Sequence, residues 1–130
     1  MIVDTSALLA IFFREPEARA FARAIAQSLG RRMSAANLLE AGIVADAQTD
    51  PRAARQLDAM VARFRIRIEP VTEAQVRIAR QAYVDFGKGN HPAGLNFGDC
   101  FAYALAKESG EPLLFKGDDF RRTDVQVALT

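Results

Sequence analysis

The chain has 130 residues, half of them hydrophobic and a quarter charged, which suits one soluble domain with a real core. Its formal net charge of +1 gives no overall basic field, so contact with nucleic acid would fall to local clusters: Arg31-Arg32, Arg63/Arg65/Arg67 or Arg121-Arg122. Each of these also reads as a solvated rim. The single cysteine, Cys100, excludes an internal disulfide and a multi-cysteine metal site, and fits a reducing cytoplasm.

Met-Ile-Val-Asp at the start carries no basic n-region followed by an apolar run, and no apolar stretch approaches the ~20 residues that span a bilayer. The expectation is a cytoplasmic protein, with residues 1–130 forming a single domain. Ile2-Val3 reads as a short buried strand ending at Asp4, followed by a helix from Ser6 to Phe13. Pro16 suits the first position of a second helix that runs through Phe21, Ile25 and Leu29 to a stop at Gly30. Arg32 to Ala35 suits a second strand and Asn37 to Gln48 a third helix. Asp50-Pro51 opens a fourth helix with Leu57, Val61 and Phe64 on one face. Ile66, Ile68 and Val71 suggest a third strand, and Thr72 with Gln75 a capping box for a helix that ends at Gly87. After a loop from Gly87 to Leu95, Asn96 caps a helix from Phe97 to Ser109 that closes at Gly110. Leu113-Leu114-Phe115 is the fourth strand and Val125 to Leu129 a possible fifth. Short apolar runs alternating with amphipathic segments indicate an α/β domain with a mostly parallel sheet of 4–5 strands covered by helices.

In such sheets ligands sit beyond the carboxyl ends of the strands, and acids fall there repeatedly. Asp4 directly follows the first strand, where it can cap the next helix or point into the crevice; Thr5 or Ser6 could cap equally well. Glu40 has Ala36, Asn37, Ile43 and Val44 as helical neighbours, so it faces a largely apolar side. It therefore needs a cation, a hydrogen-bond network or a proton, and a core ion pair with an arginine is the plain alternative. Asp99 in a helix's first turn is favoured by the helix dipole, yet projects from the same end of the domain as Asp4. Asp118 and Asp119 follow the fourth strand in what also reads as a turn. Four separate segments thus carry acid to one end of the sheet. Such a cluster suits phosphodiester cleavage with Mg²⁺ or Mn²⁺, which prefer oxygen ligands, activate water and neutralise the leaving oxygen.

Met-Ile-Val-Asp-Thr-Ser-Ala-Leu, the helical Glu40, Leu95-Asn96-Phe97-Gly98-Asp99-Cys100, and Leu113 to Phe120 followed by Thr123-Asp124 together resemble the PIN-domain ribonucleases, and most closely the VapC-type toxins of VapB–VapC toxin–antitoxin pairs. The resemblance covers the whole chain; no one motif is specific, but the ordered set is. It implies a three-layer α/β/α fold and a Mg²⁺-dependent endoribonuclease, with Mn²⁺ as a substitute. It assigns Asp4, Glu40 and Asp99 as the metal acids, with Ser6 as the polar residue beside the metal. It further implies an RNA substrate, a homodimer and inhibition by a cognate VapB-like antitoxin. Many members place the fourth acid directly after a Ser or Thr at the end of strand four; here that slot is Gly117. Asp119, beside Phe120, fits the family's Asp-Phe element better than Asp118 does.

A receiver-like phosphoacceptor needs an aspartate after the third strand, where this chain has Glu69-Pro70-Val71. A haloacid-dehalogenase-type phosphatase needs Asp-x-Asp after strand one, where this chain has Asp4-Thr5-Ser6. The spacing disfavours both. A module that only binds a partner has no need to keep Asp4, Glu40 and Asp99 together. His91 reads as a non-catalytic loop residue, and Cys100 and Tyr103 as core or groove lining. Phe12-Phe13 and Leu57/Val61/Phe64 are the apolar faces expected to remain for a partner.

Overall fold

A computed structural model describes residues 1–129. Strand β1 (Ile2–Val3) leads into α1 (Thr5–Phe12), which begins where the Asp4 side chain accepts a hydrogen bond from Ser6 N. Helix α2 (Ala18–Gln27) precedes β2 (Arg32–Ser34), and the Ser34 hydroxyl caps α3 (Ala35–Asp46). Helix α4 (Ala53–Arg63), β3 (Arg67–Glu69), α5 (Glu73–Phe86), α6 (Phe97–Ser109) and β4 (Leu113–Leu114) complete the order. No helix among the described residues is long and apolar enough to cross a membrane.

Several expected boundaries shift for local reasons. Helix α2 starts two residues after Pro16, which sits in a turn, and it ends at Gln27. The chain bends at Ser28, whose hydroxyl donates to Gly30 O, and this throws Leu29 fully into solvent. Asp50 organises the turn ahead of α4 by accepting from Arg52 N, so the helix proper begins after it. Thr72 caps α5 through Gln75 N, but the Gln75 side chain does not complete a box; it reaches Glu108 on α6 at 3.0 Å. Val71 lies outside β3. The expected fifth strand reduces to one bridge, Val127 against Leu113, because β4 offers only two residues before the chain turns toward Gly117.

All four strands are parallel, in the order β3-β2-β1-β4. Alternation along so short a sheet divides the core cleanly. Val3, Met33 and Leu114 face one way, onto α1, α2, α3 and α4 through Leu8, Phe21, Ile25, Ala41, Leu57 and Met60. Ile2 and Leu113 face the other way, onto α5 and α6 through Ala82, Tyr103 and Leu105. The result is the three-layer α/β/α arrangement expected. Each fully buried Leu or Ile in these layers contributes roughly 1.5–3 kcal/mol. The chain runs outward from β1 to β2 and β3, then crosses to the far side of β1 to form β4. The crevice at that reversal lies beyond the carboxyl ends of β1 and β4.

Candidate active site

Asp4 leaves β1 into this crevice and is almost wholly buried, 3% exposed. Its Oδ2 accepts from Ser6 N at 3.0 Å and from the Ser6 hydroxyl at 2.6 Å. The same hydroxyl accepts from Lys116 N at 2.9 Å, so Ser6 links the carboxyl ends of β1 and β4. Asp4 is thus both the helix cap and a crevice acid; the two readings of its position coexist. Burial is the main force that raises its pKa to about 7, opposed by the Ser6 hydrogen bonds and reinforced by the charges of Asp99 and Glu40.

Asp99 enters from α6. There the Asn96 side chain accepts from Asp99 N, and the Asp99 carboxylate accepts in return from Asn96 N at 3.0 Å, a complete capping box. This explains its first-turn position locally, but Asp99 is also half-buried among acids. Its pKa rises to about 6, chiefly through desolvation, with Asp119 and Glu40 adding to it. The charge of Asp119, rather than Asp118, bears on Asp99. Asp119 itself is exposed, and the neighbouring Phe120 is anchored against Phe115 with ring centroids 5.2 Å apart.

Glu40 is half-buried on α3 and has no ion pair with an arginine; among the described residues none of Asp4, Glu40, Asp99 and Asp119 is paired with a basic side chain. Its apolar surroundings are also less than the sequence suggested, because Ile43 points outward at 60% exposure. Glu40 instead has a hydrogen-bond network. Oε1 accepts from the Thr5 hydroxyl at 2.5 Å and from Asn37 Nδ2 at 3.3 Å, while Asn37 also donates to Gly98 O at 3.0 Å. Thr5, Asn37 and Gly98 were not singled out from the sequence. The spacing of Asn37 from Glu40, one helical turn, and a glycine inside the first turn of α6 were the available signals.

The donor set is carboxylate oxygen alone, which suits a hard divalent cation and lacks the His and Cys ligands that zinc and iron favour. Among the described residues no three His, Cys, Asp or Glu side chains form a group that could hold a metal ion by themselves. Mg²⁺ does not require one, since it keeps several of its waters and commonly takes one or two carboxylates. Acids held together with raised pKa values and no basic partner are relieved by such a cation, so the residues fit it. The three arginine clusters fare differently. Arg31, Arg32 and Arg67 stand at the amino ends of β2 and β3, where Arg31 donates to the carbonyls of Ala26, Ser28 and Phe64 and the other two pair with Glu69, the last residue of β3. Only Arg121-Arg122 follows the carboxyl end of a strand.

Comparison with known proteins agrees with this geometry. The family model for the PIN domain matches residues 1–126. A VapC ribonuclease of Mycobacterium bovis, Mb0625, and ribonuclease VapC28 of Mycobacterium tuberculosis are each 57% identical over 130 residues, covering 99% of this chain and 98% of theirs. A ribonuclease VapC of Mycolicibacterium smegmatis is 49% identical over 125 residues, covering 96% and 97%. Among solved structures, the crystal structure of Mycobacterium tuberculosis VapC20, described as a sarcin-ricin loop cleaving toxin, superposes with a TM-score of 0.75 at 20% identity over 95% of both chains.

Proposed function

The chain belongs to the PIN-domain family, with VapC ribonucleases as its relatives, and on that premise we propose that it is a metal-dependent endoribonuclease, the toxin of a type II toxin–antitoxin pair. The observation that carries this reading is the convergence of Asp4, Glu40, Asp99 and Asp119 on one crevice without a basic partner. Asp4 and Asp99 would hold Mg²⁺, or Mn²⁺ in its place, with Glu40 either a third ligand or holding a metal-bound water, and Asp119 at the edge. The bound cation supplies positive charge against the phosphodiester and a more acidic water. Ser6 fixes the Asp4 carboxylate by hydrogen bonding and ties it to the loop after β4, so that two strand ends move as one. Arg121 and Arg122 are the nearest basic cluster for the RNA backbone.

Two partners complete the proposal. A cognate VapB-like antitoxin silences the enzyme in the cytoplasm. A second copy of the chain covers the apolar surface around the groove between α5 and α6, where Val76, Tyr83, Val84 and Phe97 are exposed; Leu39 and Ile43 on α3 add to it. Of the faces expected from the sequence, Phe13 remains exposed, whereas Leu57 is buried and Phe12, Val61 and Phe64 are packed on the core, because α4 lies against α1 and α3.

The test is cleavage of a labelled RNA by the purified protein in Mg²⁺, in Mn²⁺ and in excess EDTA. Cleavage should require the metal and stop when the product of a neighbouring short open reading frame is added. Undiminished activity in EDTA would refute the metal assignment. Light scattering should give a dimer that Val84→Asp shifts to monomer.

A further inference from the structure

We infer that Gly98 and Asn37 are positioning residues for the Glu40 carboxylate; the inference rests on the ribonuclease reading and adds to it two uncharged residues. Gly98 is the second residue of α6, a place where glycine is disfavoured unless something requires it. Its backbone does not require it: the glycines with positive φ are Gly89, Gly94, Gly110 and Gly117. Space does. A Cβ at position 98 would lie 2.1 Å from Glu40 Oε2, 2.8 Å from Cδ and 2.9 Å from Oε1. Every one of those atoms belongs to the same carboxylate, and no backbone atom is among them. Position 98 is therefore empty of side chain so that one acid from α3 can lie over the first turn of α6, next to Asp99.

Asn37 holds that acid in place. The residue is fully buried, and its Nδ2 donates both to Glu40 Oε1 and to Gly98 O, joining α3 to α6. Its Oδ1 is buried with no partner. Rotating the amide by a half turn would set Oδ1 against two acceptors, so the orphaned oxygen is the consequence of keeping both donors where they are. Thr5 places a second donor on Oε1. Oε1 thus takes both hydrogen bonds, and Oε2 lies over Gly98 without one among the described residues, directed by the same contacts that immobilise its twin.

The experiment compares Gly98→Ala, Asn37→Ala, Glu40→Asp and the double variant Glu40→Asp/Gly98→Ala. Readouts are Mn²⁺ affinity by paramagnetic resonance, RNA cleavage and a crystal structure of Gly98→Ala. Gly98→Ala should displace the Glu40 carboxylate and lower turnover about 100-fold, the scale of a small misplacement of reacting groups. Mn²⁺ affinity should fall about 10-fold in Gly98→Ala and Asn37→Ala, as for other residues that orient a metal ligand. In the Glu40→Asp background the carboxylate is drawn back by one methylene, so adding Gly98→Ala should cost less than about 3-fold more. A Gly98→Ala structure with the carboxylate unmoved, wild-type Mn²⁺ affinity, or an undiminished penalty in the Glu40→Asp background overturns the inference. A displaced carboxylate and weakened Mn²⁺ binding, in a chain whose wild type cuts no RNA, sustain the positioning role and overturn the ribonuclease reading alone.

Discussion

The two ends of the central sheet treat acidic residues in opposite ways. At the amino ends, Glu111 accepts from the amino group of Met1 and from Arg32 Nε at 2.9 Å. The hydrogen bond from the Met1 amino group, followed by those from Arg32, keeps the Glu111 carboxyl below the usual carboxylate range. At the carboxyl ends, no basic side chain among the described residues is paired with Asp4, Glu40, Asp99 or Asp119, and Asp4 and Asp99 are raised to about 7 and about 6. The first arrangement favours the charged form and supports the fold. The second opposes the charged form, and stays open to an external cation. One sheet therefore separates stability from chemistry by the direction of its strands.

Exchanging Asp4 or Asp99 for asparagine should break this contrast most. Asparagine caps a helix about as well as aspartate, so α1 should keep its start in Asp4→Asn, while Asn96, the cap of α6, is untouched in Asp99→Asn. Cleavage should fall by about 1,000-fold or more, as for loss of a group acting directly on the reacting charge. The thermal midpoint in EDTA should hold or rise. Near-normal cleavage by either variant would remove that acid from the site.

A pH series sharpens the same point. The folded pKa values of Asp4 and Asp99 lie above those of the unfolded chain, so folding takes up protons at these groups. Their favourable contribution is complete below the ordinary carboxylate pKa of about 4 and is lost as pH rises through about 6 and 7. Metal-free protein should accordingly melt at a lower temperature at pH 8 than at pH 5, and Mg²⁺ should recover the midpoint at pH 8. Calorimetry in EDTA on wild type and Asp4→Asn decides it, since the variant should show the shallower slope.

Asp119→Ala should lower turnover about 10-fold, less than a direct ligand would, with Asp118→Ala near wild type. Steady-state cleavage at matched Mg²⁺ ranks them, and the reverse order would place the fourth acid at Asp118. The smallest effect belongs to the other end of the sheet. Arg32→Ala should cost about 1 kcal/mol of stability, because its ion pairs are partly exposed, and should leave turnover unchanged. Denaturant titration beside a cleavage assay separates the two.

Much of this contrast was legible in the residues. Asp4, Asp99 and the Asp118-Asp119 pair are placed by strand ends and helix starts, which periodicity and capping residues disclose. The parallel sheet covered by helices follows from the same alternation, and the three-layer arrangement from the family resemblance. Glu40 was found for a partly mistaken reason: its apolar neighbour Ile43 is exposed, and a hydrogen-bond network, not a hydrophobic face, accounts for its position. The roles of Asn37 and Gly98 were not read from the sequence because they depend on α3 meeting α6, a contact between segments 61 residues apart that local pattern cannot report. The half-formed capping box at Thr72 shows the same limit, since Gln75 turned to a partner on another helix.

The bond from Lys116 N to the Ser6 hydroxyl joins positions 110 residues apart. The crevice lies between the first strand and the last of the sheet, so its closure needs the longest loop in the fold, and such non-local pairing forms late. A growing chain that has not yet produced β4 has β1 and Asp4 but only one wall of the crevice. A chain that stops before β4 should therefore lack the bond that ties Ser6 to the far wall, and with it one side of the crevice in which the proposed chemistry would take place.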